Sequence, residues 1–282
     1  MRIICFEDDR GRIQWGHDLC DGQAEILLGN PYTGLAPGGA RAGVRRLLAP
    51  IRPPMILAIG LNYRQHAAEI GAPLPPAPMM FTKSPLSVVG PGEAIRIPAC
   101  CADPPEVDYE VELAVVLGRT ARDVPAARAL DYVLGYTVGN DVSARRWQKR
   151  LGQFCFAKSF DTFCPLGPCL ATPDEIGDPQ ALRLTTKLDG VLLQDSSTAD
   201  MIFGVADLIA FLSQDSTLLP GTVILTGTPQ GVGYTRTPPV FLRPGHTVEM
   251  EIEGIGVLRN PVAGPDGLVP EHLSGCTCGC RA

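Results

Sequence analysis

The spacing of hydrophobic residues predicts a chain built mainly from short β-strands. In Thr247–Ile252 the hydrophobic residues occupy every second position, as in a strand with one buried face. The pair Asp189-Gly190 lies between two β-like stretches, which predicts a hairpin with a type I′ turn. In Val205–Leu212, by contrast, the hydrophobic residues share one helical face, so a helix is expected there.

The other elements follow from composition and from the positions of glycine and proline. Further strands are predicted at residues 2–6, 12–16, 55–61, 109–118, 132–138 and 222–226. Further helices are predicted at residues 63–70 and 143–151. Irregular chain is expected at residues 30–39, which are rich in glycine, and at 71–78, where four of eight residues are proline. Together these elements predict a β-rich α+β fold with short helices.

A Pro-rich stretch at residues 49–54 marks the clearest boundary in the chain. It predicts a small N-terminal β domain before a much larger unit. The boundaries that we assign are residues 1–50, 51–262 and a cysteine-containing tail at 263–282.

Composition narrows the class of protein further. Hydrophobic residues make up 45% of the chain and charged residues 19%, which excludes intrinsic disorder. The net charge of −6 without a long basic run argues against binding to nucleic acid or to anionic membranes. No apolar stretch is long enough to span a bilayer. Acidic residues occur from position seven onward, which is not typical of a signal peptide. A cytoplasmic protein with reduced thiols is therefore expected.

The segment 107–117 carries the most informative polar residues. Glu110 and Glu112 are two apart in a predicted strand, so both face one side, and that side becomes apolar further along. Two half-buried carboxylates repel each other and lose solvation, and a bound Mg²⁺ or Mn²⁺ ion would offset both energetic costs. The alternative is a strand whose acidic end lies in solvent. A third carboxylate, Asp141, follows the next strand, where it is either a further ligand or a helix cap.

A second candidate pair precedes the proline-rich segment. His66 and Glu69 are three residues apart in a predicted helix, within hydrogen-bonding reach. A carboxylate on one imidazole nitrogen orients the ring and raises its basicity, which suits a general base. The alternative is an exposed pair that contributes little to stability.

Three weaker signals remain open on local grounds. Lys158 stands among apolar residues, either as a surface lysine or as a donor to a developing oxyanion. The glycine-rich segment 227–233 lacks the motifs of nucleotide-binding loops. The cysteines Cys276, Cys278 and Cys280 either bind a soft metal or belong to a frayed tail, and the second interpretation is favoured.

Several motifs, taken in order, resemble the fumarylacetoacetate hydrolase family. The matching segments are GLNYRQHAAE at 60–69, FTKS at 81–84, DYEVEL at 108–113, GYTVGNDVSARRWQ at 135–148, KSFDTFCPLG at 158–167 and LTGTPQGVG at 225–233. The sequences around Lys158 and Thr226 are most similar to those of the domain-containing protein 2 branch of that family. The resemblance runs from about residue 2 to residue 262 and leaves out the tail.

The resemblance implies a curved, mixed β-roll with short helices, a small N-terminal domain and a homodimer. It implies that Glu110, Glu112 and Asp141 hold Mg²⁺, or else Mn²⁺ or Ca²⁺. His66 and Glu69 would form a dyad on a lid that orders over substrate. The resemblance implies that Arg145, Gln148 and Lys158 contact substrate oxygens and that Thr228 lines the binding pocket. One departure is that residues 51–65 contain no acid where long fumarylacetoacetases have another aspartate ligand, which favours smaller 2-oxo acids.

The main functional hypothesis is a metal-dependent hydrolase that cleaves a C–C bond in an acylpyruvate. His66, oriented by Glu69, would activate water, and Lys158 would stabilise the oxyanion. The same site would also support keto–enol tautomerisation or decarboxylation of oxaloacetate. A third alternative is a catalytically silent metal-binding or thiol-sensing protein, which the presence of all the implied site residues disfavours. No nucleic-acid or membrane partner is expected.

Overall fold

The protein is a β-rich structure with short helices, as the sequence predicts. The computed structural model describes residues 1–270. The three tail cysteines therefore lie outside the described residues. Among residues 1–270 no helix is long and apolar enough to cross a membrane.

The described residues form eighteen strands and four α-helices. The strands are β1 Arg2–Asp8, β2 Ile13–Cys20, β3 Gln23–Asn30, β4 Gly34–Leu48, β5 Ile56–Gly60, β6 Met79–Lys83, β7 Val88–Val89, β8 Ile95–Arg96, β9 Val107–Asp108, β10 Val111–Leu117, β11 Val133–Asn140, β12 Ser143–Ala144, β13 Cys164–Ala171, β14 Arg183–Leu188, β15 Val191–Ser197, β16 Val223–Leu225, β17 Thr247–Ile252 and β18 Gly256–Ala263. The helices are α1 Arg64–Glu69, α2 Arg145–Leu151, α3 Pro173–Ile176 and α4 Val205–Leu212.

Two sheets contain most of the strands in residues 1–270. The larger has eleven strands, in the order β2-β3-β4-β1-β13-β11-β10-β16-β5-β6, with β7 beside β13. The smaller has the order β15-β14-β17-β18-β8, and a short β12–β9 pair stands apart. Parallel and antiparallel pairs coexist, since β16 runs parallel to β5 and antiparallel to β10.

The loop predicted at residues 30–39 is wrong. After a turn at 31–33 the chain enters β4 at Gly34, and β4 pairs with both β3 and β1. Cross-strand pairing here overrides the turn-like composition of this stretch. Because Arg2 of β1 pairs with Ala171 of β13, the N-terminal strands continue the large sheet. The domain boundary at residue 50 stays a prediction.

Strand β10 lies between β11 and β16 and is buried along its whole length. It also contacts β14 of the smaller sheet, so both of its faces are covered. The acidic face expected to be half-buried is therefore fully buried.

The local patterns with the strongest turn or helix signals are confirmed. Asp189 and Gly190 connect β14 to β15 with φ values of 50° and 82°, as a type I′ turn requires. Helix α4 covers the predicted Val205–Leu212, and its hydrophobic face is buried. The hydrophobic residues of β17 are buried and alternate with less buried ones.

Candidate active site

Three carboxylates meet where β10 and β11 pair. Glu110 directly precedes β10, Glu112 lies within it, and Asp141 directly follows β11. The amide of Asp141 donates to the carbonyl oxygen of Glu110 at 2.9 Å, which fixes the two segments together. One carboxylate oxygen from each residue lies within 4.8 Å of the others. All three side chains are buried, so the alternative of a solvent-exposed acidic strand end is wrong.

Asp141 is not a helix cap. Helix α2 begins at Arg145, and its N-terminal flanking residue is Ala144. The Asp141 carboxylate instead accepts hydrogen bonds from Lys83 and Lys158, each at 2.5 Å. The side chain therefore belongs to the charge cluster between the strands.

Three buried cations surround these carboxylates. Lys158 contacts Glu110 at 2.7 Å, and Arg145 contacts the same carboxylate at 2.7 Å. Burial alone would raise the pKa of Glu110, but Lys158 and Arg145 lower that pKa to about 2. Burial opposes the charge of Lys158, but the carboxylates of Asp141 and Glu110 raise its pKa. Glu110 and Lys158 are therefore both charged at neutral pH.

Glu112 is the carboxylate without a cation. Among the described residues it forms no ion pair, and its one donor is the amide of Gly227 at 2.7 Å. Burial, followed by the charges of Asp141 and Glu110, raises the pKa of Glu112 well above its usual range.

The cluster fits a hard divalent cation. Asp108, which pairs with Arg145, is a fourth buried carboxylate. Within residues 1–270 the ion-pair partners of these four carboxylates are three cations, Lys83, Arg145 and Lys158. The uncompensated negative charge falls on Glu112. Oxygen ligands of this kind are those that Mg²⁺, Mn²⁺ and Ca²⁺ prefer. Glu110, Glu112 and Asp141 are the residues that would hold such an ion.

The predicted dyad is formed. His66 and Glu69 lie in α1, and His66 Nδ1 is 2.8 Å from a Glu69 carboxylate oxygen. The other Glu69 oxygen accepts from the amide of Gly231 and the hydroxyl of Thr235, both at 2.9 Å. Burial would raise the pKa of Glu69, but the hydrogen bonds from His66, Gly231 and Thr235 lower it. The His66 side chain is only 9% exposed, so the alternative of an exposed pair is wrong for the imidazole, whereas 22% of the Glu69 side chain is exposed.

His66, Glu110 and Glu112 line one cavity of about 300 Å³. Its polar wall also contains Arg145, Gln148, Lys158 and Thr228, and its apolar wall includes Ile59, Phe81 and Phe154. Every predicted site residue except Asp141 and Glu69 therefore lines this cavity. Asp141 and Glu69 each contact a residue of the cavity wall, Lys158 and His66 respectively. A volume of this size is at the lower end for small-molecule sites, about 300–1,000 Å³.

The exposed-lysine interpretation of Lys158 is wrong, because its side chain is 4% exposed. Its ammonium group lies between the carboxylates of Glu110 and Asp141 and 5.0 Å from the centre of the Phe81 ring. As a buried donor beside the cavity, it can stabilise an anionic oxygen of a substrate.

Sequence reasoning missed three residues that shape this site. Lys83 neutralises Asp141, Asp108 holds Arg145, and the Tyr234 ring lies 4.5 Å from the Arg145 guanidinium. The motifs FTKS and DYEVEL contain the first two, so their positions in the resemblance were a usable signal. Nothing local marks Tyr234.

A buried glutamine connects the acidic strand to the cavity wall. Gln194 donates to the Thr228 hydroxyl at 2.9 Å and accepts from the amide of Val111 at 3.1 Å. Val111 lies between the two glutamates of the cluster. Gln194 therefore keeps Thr228 at a fixed position relative to Glu110 and Glu112.

Removing Asp108 is expected to destabilise the fold strongly. Asp108 accepts from Arg145 Nε at 2.8 Å and from the amides of Gly233 and Tyr234 at 2.8 and 3.1 Å. The substitution Asp108→Ala leaves the buried Arg145 with one carboxylate fewer. Breaking a buried pair costs about 3–5 kcal/mol, so chemical denaturation should show that loss in the free energy of unfolding.

The matched control is Asp195→Ala, which breaks the exposed pair of Asp195 with Arg183. We expect only a small change there, because solvent screens exposed pairs. Equal losses for both variants would contradict a special role of Asp108 in holding Arg145.

Comparison with known proteins agrees with the cavity's chemistry. A family model described as "Fumarylacetoacetate (FAA) hydrolase C-terminal" matches residues 55–263. The mitochondrial oxaloacetate tautomerase Fahd2a of Rattus norvegicus is 48% identical over 217 residues, which are 76% of this chain and 68% of the relative.

Solved structures share the fold over almost the whole chain. A 5-carboxymethyl-2-hydroxymuconate delta-isomerase from Mycobacterium smegmatis is 39% identical, with a TM-score of 0.82, over 94% of this chain and 100% of that one. A fumarylacetoacetate hydrolase from Exiguobacterium antarcticum is 36% identical, with a TM-score of 0.83, over 94% of this chain and 99% of that one. The similar proteins thus include tautomerases and isomerases as well as hydrolases.

Proposed function

This chain belongs to the fumarylacetoacetate hydrolase family, and we propose that it interconverts the keto and enol forms of a small 2-oxo acid of the oxaloacetate type, with a divalent cation as cofactor. The observation that carries the proposal is that two groups meet at one cavity of about 300 Å³, which Glu110, Glu112 and His66 line. One is the buried carboxylate cluster of Glu110, Glu112 and Asp141, and the other is the His66–Glu69 dyad.

The cluster would hold the cation, with Mg²⁺ as the proposed ion. When bound, the cation supplies Lewis-acid polarisation of the substrate's 2-oxo and carboxylate oxygens. Glu112 supports this assignment, because its buried charge lacks a cation among residues 1–270.

Proton transfer at C3 of the substrate is assigned to His66. Its Nδ1 faces the Glu69 carboxylate, so Nε2 is the ring nitrogen left to face the cavity. Glu69 is itself held by Gly231 and Thr235, which keeps the ring at one orientation. In the keto-to-enol direction His66 takes a proton from C3 and later releases it to solvent, and the enolate oxygen takes up a proton from solvent. The reverse direction runs the same two transfers backwards.

The remaining polar residues are proposed to bind substrate oxygens. Lys158 is the donor for the oxygen that becomes negatively charged in the enolate. Arg145 and Gln148 contact the carboxylate next to the 2-oxo group. Gln148 accepts from Arg145 Nη1 at 3.0 Å, so the two side chains move as one unit. Thr228, fixed by Gln194, completes the wall. The apolar side of the cavity keeps bulk water away from C3.

The acylpyruvate hydrolase that the sequence predicts first is now the second candidate. Both reactions pass through an enolate, and the same His66 would serve either one. Relatives named as oxaloacetate tautomerases, at 46–49% identity, favour tautomerisation. The small cavity also suits a four-carbon acid better than a bulky acyl group. Retention of every proposed catalytic residue counts against the silent alternative.

Product analysis separates the candidates. Purified full-length protein with Mg²⁺ should remove the enol absorbance of oxaloacetate while total oxaloacetate is conserved, without pyruvate or CO₂ above the protein-free level. With a simple acylpyruvate, the same protein should release no stoichiometric pyruvate. Two carbon fragments from the acylpyruvate would establish the hydrolase instead, and CO₂ from oxaloacetate would establish the decarboxylase.

We further propose a homodimer, which the family resemblance supports. A cytoplasmic location remains a prediction, and the named animal relatives are described as mitochondrial. Size-exclusion chromatography with light scattering and imaging of the tagged full chain test these two proposals separately.

A further inference from the structure

The cavity is lined by three cations, and two of them are already neutralised. Arg145 lies 2.8 Å from Asp108 and 2.7 Å from Glu110. Lys158 lies 2.7 Å from Glu110 and 2.5 Å from Asp141. Lys149 is the third, and it forms no ion pair with any carboxylate in residues 1–270. Its charge is therefore available to a ligand.

The position of Lys149 sets which part of a ligand it can reach. Lys149 and Arg145 are four residues apart in α2, so they lie on the same face of the helix. One turn of helix separates them by about 6 Å along the axis. Arg145 is buried beside the carboxylate cluster, whereas Lys149 is exposed at the mouth of the cavity. A ligand whose inner end meets the cluster presents its outer end to Lys149.

Tyr234 limits the movement of the free ammonium group. The Lys149 Nζ lies 5.6 Å from the centre of the Tyr234 ring, and the Arg145 guanidinium lies 4.5 Å from the same centre. A ring face attracts cations, so Tyr234 favours positions of Lys149 over the cavity.

We propose that Lys149 forms a subsite for the distal carboxylate of the substrate, and thereby selects four-carbon dicarboxylic 2-oxo acids over acids with a neutral end. This inference rests on the proposed function for the identity of the reaction, but not for the binding preference. The subsite accounts for a free cation in a cavity whose lining is otherwise partly apolar, since a neutral acyl group would need no charge there. A charged, hydrogen-bonded contact of this kind, partly exposed to solvent, corresponds to about a tenfold preference.

The first test compares two substrates that differ in the distal charge. Oxaloacetate and its 4-methyl ester are assayed as enols with the Mg²⁺-loaded full-length protein. We expect Lys149→Gln to lower kcat/KM for oxaloacetate about tenfold, mainly through a higher KM. The kcat/KM for the ester should stay unchanged. Lys149→Glu should lower kcat/KM for oxaloacetate further. Equal changes for both substrates, or no change for either, would overturn the subsite.

The control variant is Arg150→Gln. Arg150 is the next cation in α2, but its guanidinium lies 5.4 Å from the Trp147 ring rather than at the cavity wall. Arg150→Gln removes the same amount of charge from helix α2 as Lys149→Gln does. A loss equal to that of Lys149→Gln would show that net charge alone steers the substrate, and would overturn the subsite.

A binding experiment separates this inference from the proposed function. Calorimetric titration of malate and of 2-hydroxybutyrate, which share a carbon chain, needs no turnover. Tighter binding of malate to the parent protein, lost in Lys149→Gln, would support the subsite even if oxaloacetate is not tautomerised. Equal affinities of the parent protein for the two ligands would overturn it even if tautomerase activity is found.

Discussion

Replacing Glu112 by glutamine is expected to lower kcat by at least about 10³-fold, because it removes the carboxylate that most needs the cation. The same substitution should not destabilise the metal-free protein. Glu112 has no cation partner among the described residues, and burial with the charges of Asp141 and Glu110 already holds its pKa far above the usual range. A neutral amide of the same shape breaks no ion pair among residues 1–270, and its oxygen can still accept from the amide of Gly227.

Thermal unfolding distinguishes this explanation from general damage. The parent protein should gain stability from Mg²⁺ or Mn²⁺, by about 2.7 kcal/mol at a hundred times the Kd, and Glu112→Gln should gain almost none. Glu110→Gln provides the contrast, because Glu110 pairs with Arg145 and Lys158 and its loss should also destabilise the metal-free protein. A Glu112→Gln variant that keeps the full metal-induced shift would remove Glu112 from the ligand set.

Replacing His66 by alanine is expected to lower kcat by about 10²–10⁴-fold while leaving metal-induced stabilisation intact. The ring is the only imidazole at the cavity within residues 1–270, and its orientation is fixed by Glu69. Steady-state kinetics on the enol substrate measure the first effect, and thermal unfolding with Mg²⁺ measures the second.

Glu69→Gln is a milder substitution in the same pair, and we expect it to have an intermediate effect. An amide oxygen can still accept from His66 Nδ1, but it no longer stabilises the imidazolium by charge. Its rate should therefore lie between those of the parent and of His66→Ala. An unchanged rate in His66→Ala would show that another group moves the proton at C3.

Much of the fold followed from short-range patterns that the structure kept. The type I′ hairpin at Asp189-Gly190 and helix α4 have strong local signals, and both formed where expected. The stretch from Gly34 was different, because its glycines and prolines indicate a loop while its partners β3 and β1 draw it into a sheet. Such pairing depends on residues distant in sequence, so no local pattern reports it.

The site shows the same division. The spacing of Glu110 and Glu112 and of His66 and Glu69 was readable because each pair lies within one local element. Burial was not readable in the same way. The acidic strand lies between two others and beneath the smaller sheet. The cations that pair with the carboxylate cluster come from β6, from α2 and from the chain before β13. Lys83 and Asp108 gain their roles only from that assembly.

In the proposed reaction, a cation held by the buried carboxylates and a proton carried by His66 act together on a 2-oxo acid. The most direct measurement is the initial rate of loss of enol-oxaloacetate absorbance with EDTA-treated protein, before and after Mg²⁺ is added back. We predict a rate equal to that of protein-free solution with EDTA, full recovery with Mg²⁺, and recovery of no more than about 1% in Glu112→Gln or His66→Ala. A rate that is unaffected by EDTA, or no acceleration with Mg²⁺ present, would contradict this account.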